Sequence, residues 1–550
     1  MGANAGSSIQ RRLSALDASY LYNESARNPL HVGAVLLFEG HIPFDNVLES
    51  IAQRLHLLPR FRQRLVEVPF DLAFPSWEND PDFRLENHVK RYELSVGTDQ
   101  QQAIRRVLRE YHPMLERGRP LWEFLCFEQW PGKRTALVCK FHHALADGAS
   151  SVKLIKKLFD FSPEALPSEP FAQSSAAAPL SSPAQRMVTA AHELATQQLK
   201  SFADAMIEGF EHPSAFFERN RRLQAAIGRI AGPPGRQIVA TPWNTLPLSG
   251  SRDLVWLARS FRDYRAIRNS FGGSTDDILL TVLTEGAGRY LKDHGDSTDG
   301  YFRIACPVNV RGDEEKSEYD NRVSMIFPTI PARPMDLIER LRVVCEETGR
   351  IEPNDVQMID RLGLRWTGAL GSNLGPFPTG VFTSTILNQM IPPSLSSLTS
   401  RTELLRAEVA AAFIRNWPPC FRRFVMPPPG VNFVTSHVAS AQAPAYLRGH
   451  RCLEQIGILP LCDGLGYSVL VLSYNQTRCI GMCGDLGVMP DLDRMKHHVE
   501  ASFDELRSAA AKRGRTVNGS ERAQPPPVKS RRSSAPWSQR TIPLAQANQL

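Results

Sequence analysis

Apolar residues along this chain fall alternately into short unbroken runs and helical stripes. His31 to Phe38 (HVGAVLLF) is an apolar run of strand length, the pattern of a strand covered on both faces. Phe44, Val47, Leu48, Ile51 and Leu55 follow at three- and four-residue steps, marking one face of a helix. A second helix is predicted over Asp99 to Tyr111 and a second buried strand over Thr135 to Phe141. Val152, Ile155, Leu158 and Phe159 then open another helix, so residues 13 to 160 read as one mixed α/β unit. From Ser162 to Pro183 the chain turns to Pro, Ser and Ala, the composition of a flexible crossover. Ala191, Ala195, Leu199, Phe202, Met206 and Phe210 trace a further helical stripe, read as a helix docked on a core.

A second α/β unit extends from about Leu254 to Ala510. It is predicted to hold a helix over Asp276 to Leu291, strands over Ile304 to Val308 and Val323 to Pro328, and a closing helix carrying Leu492, Met495, Val499, Phe503 and Leu506. Tyr467 to Tyr474 and Cys479 to Cys483 form a hairpin about Asn475 and Gln476. After Lys512 little remains to bury and disorder is expected. The organisation is thus a first unit over 1–160, a crossover and helical linker over 161–250, a second unit over 251–511 and a tail over 512–550.

At 550 residues the chain exceeds what one core supports, in keeping with two units. The net charge of +7 changes meaning once it is located. Residues 512 to 550 carry eight Lys/Arg against the single acid Glu521, which leaves the body with 56 basic and 56 acidic residues. A neutral body gives no reason to expect nucleic-acid binding, and attraction to an anionic surface belongs to the tail. The nine cysteines include no CxxC pair and no His cluster joins Cys479 and Cys483, so buried free thiols are expected. No secretory h-region follows Arg11 and Arg12, Gly6 breaks the myristoylation pattern, and no run of about 18 apolar residues exists. A cytoplasmic protein, at most peripheral on a membrane, is expected.

The chemistry concentrates in Phe141-His142-His143-Ala144-Leu145-Ala146-Asp147-Gly148. A strand delivers the histidines and a helix follows Gly148, so the pair sits on a strand-to-helix turn, aimed by a rigid scaffold. An alcohol is a poor nucleophile at neutral pH unless a base takes its proton during attack, and neutral histidine titrates in the range for that task. Asp147 can pin the turn through a salt bridge, and Gly148 permits close backbone approach. His497-His498 is also a pair, but it lies within an amphipathic helix with no Asp-Gly behind it and reads as a solvated helix face.

The HHxxxDG pattern is shared by CoA- and carrier-dependent acyltransferases, and this chain resembles the bacterial wax ester synthase/diacylglycerol acyltransferase family. The resemblance runs through Leu16-Asp17-Ala18-Ser19-Tyr20-Leu21, His31-Val32-Gly33, Pro59-Arg60-Phe61-Arg62 and Pro120-Leu121-Trp122-Glu123. It continues through Thr241-Pro242-Trp243-Asn244, the helix from Asp276, Pro307-Val308-Asn309-Val310-Arg311, Asn321-Arg322-Val323-Ser324, Pro460-Leu461-Cys462-Asp463-Gly464 and Leu472-Ser473-Tyr474. It covers roughly residues 13 to 510. It implies two CoA-dependent-acyltransferase-like α/β domains, each a mixed sheet with helices, and an active site in the channel between them. It implies His143 as general base in moving a fatty acyl group from acyl-CoA to diacylglycerol or a long-chain alcohol, with His142, Asp147 and Gly148 shaping the turn. Pro120, Leu121, Trp122, Asp276, Asp277, Arg311 and Ser324 are the candidate substrate-binding residues, Arg311 as partner of Asp147 and Ser324 as oxyanion donor. No metal or redox cofactor is implied, since the thioester supplies the activation. The partners it implies are acyl-CoA and a neutral-lipid acceptor; separately, Arg531-Arg532 with Trp537 nearby offer contact of the basic tail with a membrane or lipid inclusion, a solvated disordered tail being the alternative.

The chain departs from the family pattern in three places. Asp276-Asp277 stands where the family has Asn-Asp, Ser436 to Ala441 where it has Thr-Asn-Val-Pro-Gly-Pro, and residues 362 to 430 are longer than usual. These leave two other readings, a non-catalytic lipid-binding paralogue and a carrier-dependent condensation enzyme. Retention of the whole HHxxxDG motif argues against the first, and the lack of a carrier domain in the sequence against the second.

Overall fold

The structure, a computed structural model, describes residues 11–13, 15–69, 74–145, 152, 155–164, 182–189, 191–192, 236–309, 323–351 and 431–519. Most of the crossover, most of the helical stripe from Ala191 to Phe210, Asp147, Gly148, Arg311 and the long segment 362–430 lie outside the described residues.

The first half contributes strands β1 (His31–Glu39), β2 (Val89–Tyr92), β3 (Trp122–Trp130) and β4 (Arg134–His142). The second contributes β5 (Arg252–Ser260), β6 (Tyr301–Asn309), β7 (Val323–Ile326), β8 (Phe433–Ala439), β9 (Tyr446–Leu447), β10 (His450–Ile458), β11 (Tyr467–Tyr474) and β12 (Thr477–Asp485). The helices used below are α1 (Ala15–Asn23), α2 (Phe44–Arg54), α3 (Gln100–Tyr111), α4 (Phe261–Phe271), α5 (Thr275–Asp293) and α6 (Leu492–Gly519).

Each element follows from its residues. β1 buries eight of its nine positions, which is why its apolar run lacks alternation. α3 starts where Asp99 and Gln102 close a capping box, and Ser274 with Asp277 does the same for α5. Asn475 and Gln476 both take positive φ, 46° and 61°, as a two-residue hairpin turn between right-twisted strands requires. Of the tail expected to be disordered from Lys512, residues 512–519 instead continue α6, where Leu506 and Ala510 dock on the second core and the Arg513 guanidinium lies 5.5 Å from the Phe271 ring centre of α4, and residues 520–550 lie outside the described residues.

The two larger sheets run in the orders β9-β10-β1-β4-β3-β2 and β7-β6-β8-β11-β12-β5, beside a small sheet of Arg11–Arg12, Ser76–Asn79 and Gln63–Val66. The first is therefore completed by the second half of the chain. β10, which falls inside the segment assigned from sequence to the second unit, pairs antiparallel with β1 from Cys452 opposite Phe38 to Ile458 opposite Gly33. Both cores of the first sheet are likewise shared. On one face Leu470, Leu472 and Tyr474 pack with Leu36, Leu137 and Phe141; on the other Leu254, Cys479 and Cys483 pack with Val35, Leu37 and Val138. Among the described residues no helix is long and apolar enough to cross a membrane.

The junction needs backbone on backbone. A Cβ on Gly481 of β12 would lie 2.4 Å from the carbonyl oxygen of Gly457 in β10. Gly481→Ala is therefore expected to destabilise the protein by about 1–3 kcal/mol through overpacking, seen as a lower calorimetric midpoint. An unchanged midpoint would show that the sheets part without cost.

Candidate active site

β4 ends at His142, and the chain then leaves the sheet along a path set by backbone bonds. The His142 N–H donates to the Leu121 carbonyl at 3.0 Å, Leu145 N–H returns to the His142 carbonyl at 2.9 Å, and His143 N–H donates to the Leu30 carbonyl at 3.0 Å. The turn is thus tied to the residue preceding β1 and to the one preceding β3. His142 faces inward and is 1% exposed, whereas His143 is half-buried.

The two rings have different duties. His142 Nδ1 accepts a hydrogen bond from Ala144 N–H at 3.0 Å, which leaves the ring proton on Nε2. That nitrogen faces Glu24 Oε2 at 3.2 Å. Glu24 is held from its other oxygen by Arg117, with Nη2 at 3.0 Å and Nε at 3.3 Å, and Arg117 also donates to the Leu21 carbonyl. Burial pushes the Glu24 carboxyl up, but His142 and then Arg117 outweigh it and hold the group below the usual carboxylate range. Glu24 is therefore an anion, and it fixes the tautomer and orientation of His142. His142 cannot also serve as a base, since its one unprotonated nitrogen is spent on the turn.

His143 stacks on Tyr20 of α1, ring centres 3.9 Å apart and planes 13° from parallel. Tyr20 and Leu30 both pack on the core of the second half, while Ala144 and Leu145 belong to a core of the first. His143 therefore stands on the seam between the halves, where an imidazole can meet substrates arriving between them.

The other sequence candidates are placed as follows. Leu121 supplies the carbonyl that holds His142, and Pro120, buried, precedes it and accepts from Trp122 N–H. Trp122 is fully buried between the rings of Phe61 and His88, 4.6 Å from each, and its Nε1–H donates to the Phe61 carbonyl. Asp277 accepts from Ser274 N–H at 2.7 Å and from the Thr348 hydroxyl at 2.8 Å, capping α5. Asp276 is fully buried and pairs with Arg478 and His437. Ser324 lies on β7 opposite Val308. Sequence reasoning missed Glu24 and Arg117. Glu24 stands just past α1, three residues beyond the resembling run that ends at Leu21, but nothing in its neighbours marks a carboxylate destined for burial beside a distant histidine.

The catalytic-domain pattern of the wax ester synthase/diacylglycerol acyltransferase family matches residues 13–279, and that family's C-terminal domain matches residues 387–507. The chain belongs to this family. It is an acyl-CoA-dependent O-acyltransferase. Its relatives include a probable diacylglycerol O-acyltransferase, tgs1, of Mycobacterium tuberculosis H37Rv, 25% identical over 511 residues, covering 91% of this chain and 96% of that one. A putative diacylglycerol O-acyltransferase of the same strain is 22% identical over 516 residues, covering 91% and 92%. Among solved structures, the wax ester synthase/diacylglycerol acyltransferase of Marinobacter aquaeolei VT8 shares the fold with a TM-score of 0.56 at 18% identity, over 91% of this chain and all of that one. The starter condensation domain of rhizomide synthetase, solved with C8-CoA, shares it with a TM-score of 0.50 at 12% identity, over 93% and 97%.

In this acyltransferase the Glu24 carboxylate should matter to turnover although it touches His142 and not His143. Glu24→Ala frees the His142 ring and leaves Arg117 unmatched, so kcat is expected to fall roughly 10- to 100-fold, as misplacement of a reacting group does. Glu24→Gln, which keeps an acceptor oxygen, should lose less. Steady-state kinetics of the two variants check the order, and full activity in Glu24→Ala would remove Glu24 from the site.

Proposed function

We propose that this enzyme transfers a fatty acyl group from acyl-CoA to the hydroxyl of diacylglycerol or of a long-chain alcohol, with His143 as general base. The observation that carries the reading is the division between the two rings: His142 is almost fully buried, with Nδ1 spent on the turn and Nε2 facing Glu24 at 3.2 Å, and His143 is the half-buried one at the seam. His143 takes the hydroxyl proton as the oxygen attacks the thioester carbonyl. The tetrahedral oxyanion collapses, the C–S bond breaks, and the CoA thiolate is reprotonated by the imidazolium. Ser324 is the candidate to meet the oxyanion, a position where one donor can be worth roughly 100-fold or more. Asp147 and Gly148 are assigned to support the histidines, with Arg311 the proposed partner of Asp147. The thioester carries the activation, so the reaction calls for no metal or redox cofactor. Diacylglycerol is the first acceptor to test, because relatives aligned over nine-tenths of the chain are named for it.

CoA-thiol release from palmitoyl-CoA, with diacylglycerol and with hexadecanol in parallel, tests this directly. Acceptor-dependent release is expected in the wild type, reduced about 10²–10⁴-fold in His143→Ala, the usual worth of a general base. An equally active His143→Ala would sink the proposal.

The apolar acceptor resides in membranes or lipid inclusions, and the basic tail fits an anionic lipid surface. Since α6 runs to Gly519, the segment to remove is 520–550, which carries Arg522, Lys529, Arg531, Arg532 and Arg540. Its deletion is expected to weaken sedimentation with phosphatidylserine vesicles at low salt. Unchanged binding would dispose of the tail's part.

A further inference from the structure

Two residues at which the chain departs from its family's pattern, Asp276 and His437, touch one another in the fold. His437 Nδ1 lies 3.2 Å from Asp276 Oδ1, and His437 Nε2 lies 2.6 Å from the Ser473 hydroxyl on β11. Arg478 of β12 donates from Nη1 to the same Asp276 oxygen at 3.1 Å, and from Nη2 to the Thr275 hydroxyl at 2.7 Å. The side chains of Asp276, Arg478 and His437 are 0%, 1% and 2% exposed, and Ser473 is 1% exposed. The carboxylate can only accept, so Nδ1 holds the imidazole proton and Nε2 accepts from Ser473. Burial and the Arg478 charge lower the His437 pKa against the pull of Asp276, which keeps this ring neutral. The two departures are thus one exchange. Where the family pattern has two amides, this chain has a carboxylate and an imidazole, with Arg478 neutralising the carboxylate.

The order Asp276–His437–Ser473 is that of a nucleophile triad. It cannot work as one here, because Ser473 lies on an interior strand flanked by β8 and β12 and is out of reach of any acyl group. What the chain of bonds does reach is the exit of β8. Ser440 N–H donates to the Ser473 carbonyl at 2.9 Å, Gln442 Nε2 donates to the same carbonyl at 2.9 Å, and Ala445 N–H donates to the Tyr474 hydroxyl at 2.8 Å. This is the segment by which the backbone leaves the second sheet to form β9 and β10 of the first. Its Val438 and Ala441 pack in the cluster that holds Ala144 and Leu145, the residues next after His143.

We propose that Asp276, His437 and Ser473 form a single positioning unit that holds the exit of β8, and through Val438 and Ala441 the histidine turn, in the geometry acyl transfer needs. The inference rests on the reading of that turn as the reaction centre. In the full chain, His437→Asn keeps a donor toward Asp276 but is too short for Ser473, and Ser473→Ala removes the other end of the same link. Each is expected to lower kcat roughly tenfold while KM for palmitoyl-CoA stays within about twofold, as for a misplaced rather than a missing reacting group. Because both break one link, the double variant should also lose roughly tenfold, not a hundredfold. Ser473→Thr, which retains the hydroxyl, should recover most of the activity, and the two Ser473 variants carry the test alone if His437→Asn does not fold. Multiplying losses, or singles with wild-type kcat beside an inactive His143→Ala, overturn the inference. An active His143→Ala overturns the reaction-centre reading and the inference with it. Covalent capture of Ser473 by a fluorophosphonate overturns it by making the serine a nucleophile.

Discussion

The ladder between β10 and β1 ties the two halves of the chain into one body, and the site depends on it. β1 is flanked by β10, supplied from the far end of the sequence, and by β4, which delivers His142. Leu30, just before β1, holds the backbone of His143. Any shift of the second half relative to the first would therefore pass into the turn that carries His142 and His143. Gly457 and Gly481 let the sheets meet closely enough for the two cores to be shared. Rigidity of this kind suits a reaction in which placement of a hydroxyl against a thioester carbonyl supplies much of the rate.

Upon that frame the two histidines divide the work. His142 is turned inward, its Nδ1 bonded to Ala144 N–H and its Nε2 facing a buried Glu24 that His142 and Arg117 together keep ionised. A doubled histidine thereby becomes a positioned ring and its support. The Tyr20 ring gives His143 an aromatic wall on one side. The second half has its own polar centre in Asp276, Arg478 and His437, buried as deeply and joined to the same cluster through β8.

What the sequence made legible was whatever depends on local pattern. The unbroken run His31 to Phe38 announced a strand covered on both faces, and the turn residues Asn475 and Gln476 announced their hairpin, because periodicity and turn chemistry act over a few residues. The HHxxxDG motif and the ordered runs around it were enough to find the family. Contacts between distant segments were not legible. Periodicity says which face of β10 is apolar but not that its neighbour is β1, and nothing near Glu24 speaks of His142. The departures show the same limit. As a sequence, Asp276 reads as a lost amide donor; in the fold, Arg478 and His437 donate to it from strands more than 150 residues away.

If His143 acts on a hydroxyl already bound beside acyl-CoA, transfer proceeds without an acyl-enzyme. Initial rates measured while acyl-CoA and diacylglycerol are varied together test it most directly. Direct transfer predicts double-reciprocal lines that intersect, since both substrates must be bound before the proton moves. Parallel lines, with acyl label retained on the protein in the absence of acceptor, would mean a covalent intermediate and would contradict the role given to His143.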